Sequence, residues 1–82
     1  MDKQETLTLI HEIHDACKES VIIHSISLDF RNSVSKEDYL IRMKAELDNY
    51  AKDCFNPILK KHQLVMREEN GYVIIFKMHS IN

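Results

Sequence analysis

Apolar residues run through the whole chain, but their spacing changes from one segment to the next. Over Lys3 to Ser20, Leu7, Ile10, Ile13, His14, Cys17 and Val21 fall on one stripe when each residue turns about 100°. Glu5, Glu12, Asp15, Lys18 and Glu19 lie off that stripe, so the spacing predicts an amphipathic helix packed on something. Leu9 falls on the polar side.

The period then shortens. From Val21 to Phe30 one alternation is Ile22, His24, Ile26, Leu28 and Phe30, and the other is Val21, Ile23, Ser25, Ser27 and Asp29. Period two with β-branched residues predicts a strand, although Ile22, Ile26 and Phe30 are also spaced for a continued helix.

Asn32 to Ser35 reads as a loop, and Ser35 with Asp38 resembles a helix start. Tyr39, Leu40, Met43, Leu47, Tyr50, Ala51 and Cys54 predict one long helix, with Lys44, Asp48 and Lys52 pairing along its surface. Ile41 lies off that stripe. Asn56-Pro57 predicts a break at Phe55 and Asn56 and a short turn to about His62, with a kinked continuous helix as the alternative.

Asn70-Gly71 between apolar runs predicts a tight hairpin, because both residues tolerate positive φ. Its second strand, Val73-Ile74-Ile75-Phe76, is apolar on both faces, as a central strand would be.

The predicted order is therefore helix, strand, helix, strand, strand. The expected α+β fold is a three-stranded sheet, a split β-α-β unit with a C-terminal hairpin, covered on one face by two helices. A winged helix is the alternative. With 82 residues, a single domain is expected, and no repeat or linker is visible in the sequence. A chain of this size buries only about 60–65% of its unfolded surface, so dimer formation would add needed burial.

Net charge is −2, from 11 basic and 13 acidic side chains, which offers no general attraction to nucleic acid or anionic lipid. No apolar run is long enough for a membrane span, and the polar start has no signal-peptide form. Two cysteines without a spacing pattern, Cys17 and Cys54, read as buried reduced thiols, and a cytoplasmic setting follows from that.

His11, His14, Asp15 and Cys17 are metal-type side chains near one another on a helix, but they lack the spacing of a zinc hydrolase. No metal or cofactor is expected. The single glycine sits in the hairpin turn, and no serine occupies a strand-to-helix elbow, so enzyme chemistry has no motif to stand on.

Asn56 to Met78 resembles the end of a winged-helix DNA binder, with Lys60, Lys61, His62 and Arg67 as its contacts. The Glu68-Glu69 wing tip and the net charge oppose that reading. Tyr72 and Phe76 share a hairpin face, as on an RNA-binding sheet, but only Arg67 stands beside them in the predicted arrangement.

The favoured function is a non-catalytic, regulatory or protein-interaction module, expected to be a homodimer. Its expected contacts are Val21, Ile23, Ser25 and Ser27 on the open sheet face, with Leu9 and Ile41 as secondary anchors.

Overall fold

The computed structural model describes residues 1–30 and 38–77. It is α+β, with helix α1 (Lys3–Cys17), strands β1 (Ile23–Phe30) and β2 (Tyr39–Ala45), helix α2 (Asn49–His62), and strands β3 (Leu64–Glu69) and β4 (Tyr72–Lys77). The sheet has four strands, not three, in the order β1-β2-β4-β3, and every neighbouring pair is antiparallel. Each half of the chain runs helix, strand, strand, and the final strands of the two halves meet in the middle of the sheet. The split β-α-β unit is present one strand later than expected: β2 and β3 flank β4, with α2 between them in sequence. Two helices on a four-stranded antiparallel sheet replace the winged-helix alternative.

The helices cover one face. On that face Ile41 and Met43 of β2 and Val73 and Ile75 of β4 pack with Leu9, Ile13 and Cys17 of α1 and Ala51, Phe55 and Ile58 of α2. The stripe that α1 buries is Thr6, Leu9, Ile13 and Cys17, so Leu9 is a core residue and His14 is exposed. Thr6 is hidden from the sequence pattern because it is polar; its hydroxyl donates to the Asp2 carbonyl at 2.7 Å, which removes the cost of burying it. Asp2 caps the helix by accepting from the Glu5 N–H.

The predicted long helix is a strand and a helix. Asp48 separates them: its backbone is extended and its side chain accepts from the Ala51 N–H, as an N-cap does. Read as a mid-helix charge paired with Lys44 and Lys52, the same aspartate hides the boundary. Before it, Ile41 and Met43 alternate with Arg42 and Lys44, the period of a strand with one buried face.

α2 does not break at Pro57. The ring is on the exposed side, where water can serve the carbonyl that lost its N–H partner, while Ala51, Phe55 and Ile58 hold the buried side in place. The helix ends at Gln63, which adopts the left-handed conformation (φ 57°). The hairpin turn forms as expected, with Asn70 at φ 54° and Gly71 at φ 80°.

Cys17 and Cys54 are joined in a disulfide between α1 and α2. The expectation of two reduced thiols assumed that nothing brought them together, but antiparallel packing of the helices does. The same packing sets Glu12 against the last turn of α2. Its carboxylate meets His62 Nε2 at 2.9 Å and Lys61 Nζ at 3.3 Å. The His62 hydrogen bond, helped by the bond and charge of Lys61, outweighs partial burial and holds the Glu12 carboxyl below its ordinary value.

Candidate interaction surfaces

The helix-free face is a grid built by the ladder register. Its middle row crosses the sheet through Ser27, Arg42, Ile74 and Arg67. Asp29, Leu40, Phe76 and Val65 lie on one side of that row, and Ser25, Lys44, Tyr72 and Glu69 on the other. Ile74 is buried between its two arginine neighbours, on the face that neither α1 nor α2 covers. The Arg42 guanidinium lies 5.5 Å from the Tyr72 ring centre, and that of Arg67 lies 5.4 Å from the Phe76 ring centre. Each also meets a carboxylate, Asp29 at 3.5 Å for Arg42 and Glu69 at 3.1 Å for Arg67.

Four of the six expected partner contacts are not on this face. Val21, Leu9 and Ile41 are buried in the core, and Ile23 packs against it. The reason for Ile23 is a bulge: between Ile23 and Ser25 the β1 strand advances two residues while β2 advances one, so the alternation that joined Ile23 to Ser25 is broken at His24. Ser25 and Ser27 are exposed opposite Lys44 and Arg42. The sequence reading missed Leu40, Arg42 and Lys44 because it placed them on a helix; the alternation of Ile41 and Met43 with charged neighbours was the available signal.

The sheet has two edges of different character. β3 closes its edge with Arg67, Glu68 and Glu69, charges that discourage further strand pairing. β1 is longer and carries a single formal charge, Asp29, near its end. The Asp29 side chain accepts from the Phe30 N–H at 2.8 Å, and the Tyr39 N–H is taken by the Met1 carbonyl at 2.7 Å. Phe30 and Tyr39 therefore face each other without exchanging ladder bonds through their N–H groups; instead their rings stack with centres 5.0 Å apart. Antiparallel alternation then directs the backbone groups of Ile26 and Leu28 away from β2, along the outer edge.

Of the expected nucleic-acid contacts, Lys61 and His62 are engaged by Glu12, Lys60 is exposed in the last turn of α2, and Arg67 stands apart on the sheet. Basic residues in that turn complement the negative end of the helix. His11 and His14 are exposed, Cys17 is spent in the disulfide, and no metal-type cluster forms among the described residues. No helix among them is long and apolar enough to cross a membrane.

Compared with known protein families, characterised proteins and solved structures, the chain has no significant match.

Proposed function

We propose that the chain is a non-catalytic interaction module that pairs with a second copy of itself along edge strand β1. The observation that carries this is the outer edge at Ile26 and Leu28, where backbone donors and acceptors point away from the sheet on a strand whose one formal charge, Asp29, lies near its end. Two antiparallel copies related by a two-fold at Ser27 would pair Ile26 with Leu28 of the partner copy on the helix side. Ser25 would meet Asp29 across the same junction, and no like charges would be opposed. The result is one continuous sheet, with further apolar burial for a domain whose own core is small.

The setting follows from the cysteines. A cytoplasmic location was expected on the ground that both thiols were reduced, and the disulfide between α1 and α2 removes that ground. It favours an oxidising compartment.

The test uses Ser27, which is exposed and meets itself at the two-fold. The wild-type chain is expected to be a dimer by light scattering. Ser27→Lys and Ser27→Glu should each give monomers, and an equimolar mixture of the two should recover the dimer. A wild-type monomer, or dimers that ignore both substitutions, would contradict the pairing.

A further inference from the structure

We propose that the helix-free face of the sheet binds single-stranded nucleic acid, with Tyr72 and Phe76 as its stacking platform and Arg42, Lys44 and Arg67 as its phosphate contacts. The sequence opposed such a reading because only Arg67 stood beside the two rings. The fold removes that objection. β2 runs next to β4, bringing Arg42 over the Tyr72 ring and placing Lys44 in the same outer row as Tyr72.

The face therefore differs in charge from the chain that carries it. It has three cations and two carboxylates, whereas the whole chain has a net charge of −2. The carboxylates of Asp29 and Glu69 each hold a guanidinium in an exposed ion pair. Such pairs are weak in water, so a phosphate can replace the carboxylate at little cost. A guanidinium already lying over a ring presents a flat cationic surface to a base, and bases stack on arginine planes as well as on aromatic faces. Contacts of this kind are tolerant of sequence. The two-fold at Ser27 would leave this face open, so the proposal does not depend on the dimer.

The test is fluorescence anisotropy of the full chain with a dye-labelled oligouridylate of about 10 nucleotides, a length within the usual site sizes of such platforms. Binding is expected to weaken with salt at a log–log slope of about −2, from three phosphate contacts on a single strand. Tyr72→Ala should weaken it about tenfold, and Tyr72→Phe, which keeps the ring, should restore it. Arg42→Gln and Arg67→Gln should each flatten the salt slope by about 0.7, while Lys60→Gln on α2 changes nothing. Absence of binding at about 20 mM salt overturns the proposal. So does equal competition by duplex, or an equal loss in Lys60→Gln. If Tyr72→Ala instead lowers the molar mass of the protein alone, the face is a protein contact and the proposal fails. A wild-type chain that is monomeric by light scattering and still binds the oligouridylate would contradict the dimer and support this proposal.

Discussion

The two halves of this chain build the same unit from unlike sequence. Both run helix, strand, strand, and both place their last strand at the centre of the sheet, where Ile41 of the first half lies opposite Ile75 of the second. The second half announces itself. Asn70-Gly71 can form only a few turns, all of them tight, and a strand apolar on both faces belongs in the middle of a sheet. The first half carries no such punctuation between β1 and β2, and its apolar positions fit a helix as well as a strand. Local turn chemistry, more than hydrophobic content, decided which half could be read.

Equal structural standing despite unequal legibility is the claim most open to attack. Ile41 and Ile75 are both fully buried, face the same helices and touch as ladder partners. Ile41→Ala and Ile75→Ala should each cost about 2–5 kcal/mol in denaturant unfolding, with similar values. The double variant should cost less than the sum, because the two residues share one contact. A large loss at Ile75 with a negligible one at Ile41 would mean that the first half is only loosely attached.

The disulfide ties the halves through their helices and closes a separation of 37 residues. By chain entropy alone, Cys17→Ala with Cys54→Ala should lower stability by about 4 kcal/mol, and a reductant should lower the thermal midpoint of wild type but not of the double variant. Identical midpoints with and without reductant in the wild type would show that the bridge is not holding the helices.

A smaller effect tests the punctuation itself. An added Cβ at Gly71 meets nothing within 4 Å, so Gly71→Ala isolates the backbone term at φ 80°. It should destabilise by about 1–2 kcal/mol. An unchanged unfolding midpoint would mean that the turn does not require its positive φ.

The smallest effect lies at the other junction between the helices, where Glu12 meets His62 and Lys61. A carboxyl held below its ordinary value of 4.5 adds stability that is present above that pH and lost as pH falls through the lower, folded value. Glu12→Gln should therefore lower stability slightly near neutral pH and flatten the acid side of the profile, so that variant and wild type converge as pH falls below 4.5. A profile parallel to wild type below pH 4.5 would mean that the Glu12 contacts do not persist in solution.

Much of the architecture was open to reading and much of the surface was not. The first helix, the β1 strand and the C-terminal hairpin follow from periodicity and the Asn-Gly turn. Asp48 could serve as an N-cap or as a mid-helix charge, and one misplaced cap turned β2 into helix. That one choice removed Leu40, Arg42 and Lys44 from the open face and made Ile41 appear exposed. Leu9 misled because Leu7, Leu9, Ile10 and Ile13 together permit stripes one position apart, and only the partner surface selects between them. The bulge at His24 leaves no trace in composition. The Ser35 helix start and the loop before it lie outside the described residues.

The central claim is that the outer edge of β1 is where a second copy attaches, and amide hydrogen exchange reads that edge directly. The N–H groups of Ile26 and Leu28 point outward in the single chain, while that of Ser27 points into the ladder with β2. At concentrations that favour the dimer, Ile26 and Leu28 should exchange as slowly as Ser27, and they should become fast on dilution. Rapid exchange at Ile26 and Leu28 at every concentration, with Ser27 protected throughout, would contradict the account.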